Sequence, residues 1–418
     1  VENLRLSAQV QRLKSKERRS RERLEKISKV AGGSDGDHSS WRKNLPGLGL
    51  TFDTQEIDWL LMRGLERKAP LPEDLRLETM LACVAADQRE VQQRLLALSD
   101  VAGSRKLRYA LVEVFSAGGK RLRPALCHLV HQMLKAPASP RAPAPQRASN
   151  EVLTLATAIE VIHTASLVHD DILDDADTRR QRKTIHEVFG PDVAVLSGDF
   201  LFAHASELVE SLENDEVTRL VSLVIEQFGL GELSQSAKRF DVEVSLFDYM
   251  TKSFYKTASL LAAACRASAV LSGPSREVCD VMYSYGFYLG IAFQIADDVL
   301  DFDGVGEELG KPQGQDLSEG LLTAPVILCL QGNKDLGLSP APGAAEMRTL
   351  IGRRFCKEGD LERVVALVRE GGGVESAYSL AEQMANKALE ALMLVAPADS
   401  EARRSLAGIT RWAVRRST

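Results

Sequence analysis

The 418-residue sequence has no CxxC pair, and its six cysteines (Cys83, Cys127, Cys265, Cys279, Cys329, Cys356) lie far apart with no accompanying histidine series. That excludes a disulfide framework and a zinc site, and it reads as six core thiols in a reducing compartment. Positive charge is not in excess either. The 52 Lys and Arg against 58 Asp and Glu leave a net charge of -6, so no nucleic-acid partner is expected. Charge or proline interrupts every apolar run before the roughly 18 residues that a membrane span needs. The expectation is a soluble protein with at most peripheral membrane contact. Gly (30) and Pro (15) are too few, and the apolar share of 44% too high, for a collagen-like or disordered chain. Alternating strand patterns are scarce.

What is present is helical texture. From about Leu75, apolar residues recur at spacings of three and four through LETMLACVAADQREVQQRLLAL, LRYALVEVF and EVLTLATAIEVIHTASLVHDDILDD. The fold is predicted to be all-α, a single large helical bundle around a central apolar cavity, spanning residues 75–418. Residues 1–74 read as a polar, partly basic extension. Within it, Arg5 to Lys29 is rich in Arg and Lys and precedes the breaker run GGSDGDHSS. This fits either the tail of an organelle-targeting segment, mitochondrial or plastid, or a solvated helix of mixed charge in a cytoplasmic protein. Its glutamates argue against a transit peptide proper. The Pro/Ala-rich stretch from Lys135 to Asn150 and the breaker-rich stretch from Gln331 to Gly343 are predicted to be exposed loops.

Two segments carry the chemistry, His169 to Asp177 and Gln294 to Asp301, and each contains DDxxD. On a helix, i and i+4 share a face with i+1 close beside them, so Asp170, Asp171 and Asp174, and likewise Asp297, Asp298 and Asp301, gather carboxylates in one direction. Such a cluster needs a cation, and Mg²⁺ is the hard ion that takes oxygen ligands while keeping sites for water and phosphate. Both motifs end apolar runs, Ile159 to Val168 and Tyr285 to Ala296. They therefore sit where buried helices emerge. Two such helices facing each other would make a metal-lined mouth over an apolar cavity.

Basic residues supply the other half of an anion site. Gly118–Pro124 reads GGKRLRP, with cations after a flexible glycine pair. Arg179 and Arg180 follow the first acidic cluster, Lys256 and Thr257 lie between the clusters, and Lys311 follows the second.

In order and spacing, GGKRLRP, HDDILDDADTRR, GDFLFA at Gly198–Ala203, KT at Lys256, FQIADDVLD and GKPQGQDLSEGLLTAP resemble the trans-prenyl diphosphate synthases, long-chain solanesyl-type enzymes in particular. The resemblance implies that the six aspartates hold the Mg²⁺ ions that bind an allylic diphosphate primer, with Arg179, Lys256, Thr257, Gln294 and Lys311 gripping it. It further implies that Lys120, Arg123, His163 and Arg180 bind isopentenyl diphosphate, and that the enzyme is a homodimer serving quinone side chains. The chemistry expected is ionisation of the allylic C–O bond, attack by the isopentenyl double bond and loss of a proton. It needs no nucleophilic Ser or Cys, and it needs water kept out of an apolar cavity.

Two positions depart from the family pattern. Gln181 stands where Gly commonly follows the Arg pair, which is expected to stiffen that loop. Leu321 replaces a Lys often seen in the last segment, leaving one phosphate-gripping cation missing or supplied by Arg182 or Lys183. A terpene cyclase would share the first DDxxD but needs no isopentenyl site, and a non-catalytic subunit would be expected to lose acidic positions; all six are present. One turn before Asp170 the helix carries the small residues Ala165 and Ser166 where an aromatic would stop a growing chain early, with Ala158 and Ile162 continuing that face. A long-chain all-trans product is expected, with a geranylgeranyl product or a heteromeric subunit as the alternatives.

Overall fold

The computed structural model describes residues 76–135, 148–302, 313–333, 338–395 and 400–415, all within one compact unit. The chain is all-α, as its 3.6-residue periodicity predicts. The helices of eight residues or more among the described residues are α1 (Ala85–Ala97), α2 (Arg105–Ser116), α3 (Leu122–Lys135), α4 (Asn150–Leu173), α5 (Pro191–Glu210), α6 (Asp215–Ala237) and α7 (Leu246–Ser253). They continue with α8 (Ser259–Ser272), α9 (Arg276–Leu300), α10 (Ala324–Gln331), α11 (Ala344–Gly352), α12 (Asp360–Glu370), α13 (Gly373–Val395) and α14 (Glu401–Arg415). The N-terminal extension, most of the Pro/Ala-rich loop and Lys311 lie outside the described residues.

The main core joins α3, α8, α9, α13 and α14 through Leu126, Leu129, Leu261, Tyr285, Leu289, Leu392 and Leu406. Burying Tyr285 requires a partner for its hydroxyl, which donates to Leu406 O at 3.1 Å. Arg266 of α8, 2% exposed, staples α6 to α9 by pairing with Glu216 (2.7 Å) and Asp280. Close approach of α8 to α9 depends on glycine. A Cβ on Gly286 would stand 2.5 Å from Leu261 O, and one on Gly290 would stand 2.5 Å from Ala258 Cα.

That crossing presses a feature the sequence did not announce against α9. Between α7 and α8 the chain makes a π-helical turn over Phe254–Ala258, with Ser259 N–H donating to Phe254 O. Such turns insert one residue into the helical ladder and re-aim the side chains around it; the ones re-aimed here include Lys256 and Thr257.

Helix α4 is capped by Ser149, whose side chain accepts from Val152 N. Its length and apolar composition would suffice to cross a membrane, but Glu160 interrupts its apolar run, as the sequence reading has it, and 78% of its most apolar window is buried inside the fold. It is a core helix. The thiol expectation also needs one correction: Cys356, on the loop between α11 and α12, is exposed, while Cys127, Cys265, Cys279 and Cys329 are buried.

After α4 the chain forms a small antiparallel hairpin, β1 (Thr178–Arg179) and β2 (Arg182–Lys183), with Arg179 opposite Arg182. Its two-residue turn puts Arg180 at φ 52° and Gln181 at φ 63°. Two left-handed residues are what a tight hairpin of this twist demands, and Gly or Asn normally supplies them. The departure at Gln181 therefore leaves a non-glycine residue in the left-handed region, at roughly 1 kcal/mol.

Candidate active site

Both DDxxD motifs sit at the C-terminal ends of their helices, Asp170–Asp174 closing α4 and Asp297–Asp301 closing α9. A helix C-terminus carries about half a negative charge, so these carboxylates add to an already unfavourable field. Local structure stores a demand for cations at both ends. Among the described residues no three Asp, Glu, His or Cys side chains converge on one point; the carboxylates are instead held apart by individual partners. Arg179 Nε donates to Asp171 Oδ1 at 2.6 Å, and Arg239 Nη2 lies 3.7 Å from Asp174 Oδ1. Asp298 accepts from the Tyr249 hydroxyl at 2.6 Å and from Gln294 Nε2 at 2.9 Å. Asp301 accepts from the backbone N–H of Gln315 at 3.3 Å.

The π turn lies between the two motifs. Lys256 pairs with Glu232 and donates to Gln235 Oε1 at 3.3 Å, and the charge of Asp170 also acts on its ammonium. One residue on, the Thr257 hydroxyl donates to Gln294 Oε1 at 2.7 Å. The amide of Gln294 thus joins Thr257 to Asp298. Expected from sequence as separate grips, Lys256, Thr257, Gln294 and both motifs form one linked cluster.

Burial pushes Asp170 up to about 7, with Glu232 and Asp174 adding to the rise and Lys256 opposing it. Burial likewise pushes Asp298 up to about 7, against Lys252 and the two hydrogen bonds it accepts. An acid raised this way, against an unfolded value near 3.9, contributes stability that is complete below about pH 4 and lost as pH rises through about 7. Two histidines with lowered pKa, His128 (to about 3) and His163, act in the opposite sense, their contribution being lost as pH falls below about 6.5. Cation affinity isolates the carboxylates, since a bound cation requires them ionised. Mg²⁺ affinity measured by calorimetry is therefore expected to weaken at least several-fold between about pH 8 and about pH 6.

On the other face of α4, a cavity of about 410 Å³ is lined by Glu160, His163, Leu167, Val168 and Asp171, by Tyr109 and Val114 of α2, and by Arg179–Phe189 in part. Arg121, His163 and Arg180 line it together. The glycine pair serves close approach here: Gly118 and Gly119 have φ 72° and 136°. Arg180 donates to Gly118 O, and its guanidinium lies where a Cβ on Gly119 would come within 2.7 Å. His163 is half-buried and near Arg123, Arg180, Arg179 and Arg121, so desolvation and these charges bring its pKa well below the ordinary value and it offers a neutral ring. Arg123 has a buried Nε with no hydrogen-bond partner. Lys120 is exposed and stands 4.6 Å from the Trp412 ring of α14.

Sequence reasoning missed several of these partners. Glu160, 3% exposed, pairs with Arg121 at 2.6 Å, while Arg121 also donates to Gln92 Oε1 at 3.2 Å and Phe115 O at 3.0 Å. A lone acid in the apolar run TAIEVIHTA was a legible signal, because buried carboxylates are almost always paired. Glu232, Gln235, Tyr249 and Trp412 gave none. Ala165 is fully buried, Ser166 donates to His163 O at 2.9 Å, and neither lines the cavity described above.

Two acidic helix ends joined by a cationic turn thus stand beside a second cluster of arginines around a neutral histidine. A family model described as polyprenyl synthetase matches residues 104–368. The chain is 42% identical over 335 residues to the chloroplastic solanesyl diphosphate synthase 2 of Arabidopsis thaliana, covering 80% of this chain and 76% of that protein. Among solved structures it resembles a polyprenyl synthase from Caulobacter crescentus, complexed with calcium and isoprenyl diphosphate, at TM-score 0.71 and 31% identity, covering 83% of this chain and all (100%) of that one. A decaprenyl diphosphate synthase from Rhodobacter capsulatus gives TM-score 0.72 at 28% identity, with 82% and 100% covered. The chain belongs to the polyprenyl synthetase family.

Proposed function

We propose that this chain is a Mg²⁺-dependent prenyltransferase that condenses an allylic prenyl diphosphate with successive isopentenyl diphosphate units into a long-chain, all-trans polyprenyl diphosphate. The observation that carries the reading is the linked cluster of Asp170, Lys256, Thr257, Gln294 and Asp298 between two acidic helix ends. Asp170, Asp171, Asp174, Asp297, Asp298 and Asp301 would hold Mg²⁺, which supplies charge neutralisation for the departing diphosphate. Their crowding at helix C-termini and the raised Asp170 and Asp298 fit that role, since oxygen donors short of positive charge are what a hard cation prefers. Lys256 and Arg179 meet the allylic diphosphate as its charge grows. Arg123, with its unsatisfied Nε, and Arg180 grip isopentenyl diphosphate, and neutral His163 offers an N–H without adding repulsion among the arginines. The buried aliphatic faces of α4 keep water from the carbocation.

Relatives named for solanesyl and decaprenyl products support a long chain and a role in quinone side chains, and the chloroplastic relative supports a plastid setting. We read residues 75–418 as the catalytic domain and residues 1–74 as an extension to it. Exposed Val195 and Leu196 on α5 and Leu230 and Leu233 on α6 support a homodimer. Purified protein assayed alone with isopentenyl and farnesyl diphosphates, its products chromatographed against prenol standards, tests the proposal. Long all-trans prenols, lost in EDTA and restored by Mg²⁺, are expected. A twenty-carbon product would replace the long-chain reading by a geranylgeranyl one. No turnover without a second subunit would make the chain one half of a heteromer.

Chain length has its own test. A tail anchored at Asp170 runs past Ala165 and Ser166 on one face of α4, where side chains are small. Ala165→Phe is expected to shorten the product while condensation continues, at about 1–3 kcal/mol of stability because Ala165 is fully buried. An unchanged product profile would place the tail elsewhere.

A further inference from the structure

Most cations around the acidic motifs are already engaged in the substrate-free chain: Arg179 with Asp171, Lys256 with Glu232 and Arg239 near Asp174. Lys252, in the last turn of α7, is different. Its ammonium makes no hydrogen bond or ion pair with the described residues; its near neighbour is the Tyr249 ring one turn back, 5.4 Å from nitrogen to centroid. Tyr249 in turn donates to Asp298, so Lys252 stands at the edge of the second acidic motif. Burial lowers its pKa and the like charge of Lys256 adds to the fall, opposed by the charges of Asp298, Asp316 and Glu232.

The placement is tightly specified. Ser245 and Asp248 form a reciprocal capping box at the start of α7, and Lys238 pairs with Asp248. Tyr249 and Lys252, three residues apart, share a helix face, and Tyr249 is only 2% exposed. The aromatic anchor therefore pins the face that carries the lysine. In the turn of Asp316, whose charge acts on Lys252, Leu321 N–H donates to Asp316 O at 2.9 Å, and the leucine side chain brings no cation there. Arg182, considered from sequence as a replacement, is committed to Glu113 of α2 at 3.3 Å.

A half-buried ammonium with three donors and no acceptor among the described residues has lost water contacts that an entering anion replaces. We propose that Lys252 is a further diphosphate-binding residue of the allylic site, donating from the side of the second acidic motif as Lys256 donates from the side of the first. This rests on the prenyl-transfer reading for the identity of its substrate, but the anion chemistry can be read separately.

Calorimetry with inorganic pyrophosphate and Mg²⁺ gives that separate reading. Lys252→Met is expected to raise the pyrophosphate Kd and the allylic KM about tenfold, the weight of one charge-assisted contact, with isopentenyl KM within about twofold. Its melting temperature should hold or rise, because a half-buried charge has been replaced by an apolar chain of similar length. Lys252→Arg should retain much of the affinity. Introducing Leu321→Lys into the Lys252→Met background should restore it from the facing turn. Unchanged pyrophosphate affinity and allylic KM in Lys252→Met would overturn the assignment. So would a melting temperature several degrees lower with affinity unchanged, which would make Lys252 a structural counter-ion of Asp298 and Asp316. A wild-type chain that binds pyrophosphate but never condenses prenyl substrates would refute prenyl transfer, while the pyrophosphate comparison would still decide the role of Lys252.

Discussion

Asp170→Ala is expected to lower turnover by at least about a hundredfold, the scale of removing one element of transition-state charge stabilisation, while its circular dichroism and melting temperature are unchanged or improved. The two halves of that expectation come from one geometry. Asp170 closes α4 at the negative end of the helix dipole, beside Asp174 and near Glu232, and burial holds its pKa at about 7. Removing it relieves repulsion and desolvation, and no apolar packing is lost. What disappears is an oxygen donor for a divalent cation and the negative charge that Lys256 faces. Mg²⁺ affinity should fall about 10–100-fold. Activity within a few-fold of wild type would place the cation elsewhere. A loss of helical signal in parallel would mean that the aspartate serves the fold.

How much of this was visible in the sequence varies with the range of the interactions involved. Helices α4 and α9 were legible because their periodic apolar faces and terminal acids are local features, and the carboxylates were found by spacing alone. The hairpin was not: its strands are two residues each, too short for alternation to register, and its turn uses Arg180 and Gln181 in place of the glycine that would have signalled it. The π turn was hidden for a different reason. Phe254–Ala258 is an ordinary helical segment in composition, and what surrounds its extra residue, the close crossing at Gly286 and Gly290, is a tertiary feature. Lys120 meeting Trp412, nearly three hundred residues later, belongs to the same class.

The site residues divide along that line. Those that touch substrate by our reading were recognised by motif, because chemistry fixes residue type and spacing together. Those that hold them in place come from distant segments whose sequence carries no chemical signature: Gln235 and Glu232 from α6, Tyr249 from α7. Glu160 is the exception, and it yields the second large expectation.

Glu160→Ala is expected to destabilise the chain by about 3–5 kcal/mol, the usual consequence of leaving a buried charge unpaired, and to raise the KM for isopentenyl diphosphate at least about tenfold with allylic KM little changed. Glu160 and Arg121 are 4% and 11% exposed at the side chain, so the guanidinium cannot turn to water when its carboxylate goes. Arg121 has φ 44°, a left-handed conformation that its own side chain maintains through Glu160, Gln92 and Phe115, while Gln88 holds its carbonyl at 2.9 Å. With that anchor cut, the residue relaxes and carries its neighbours with it. Lys120 precedes it and Arg123 follows two positions on, and the field of Glu160 also supports the charge on Arg123. Glu160→Gln keeps the shape and one acceptor, so it should recover part of the stability and most of the isopentenyl KM. Chemical denaturation and initial-rate kinetics on the three proteins separate the outcomes. Lost stability with an unchanged isopentenyl KM would show that the Gly118–Pro124 loop holds its cations without this pair. An allylic KM that rose instead would mean that the loop serves the other diphosphate.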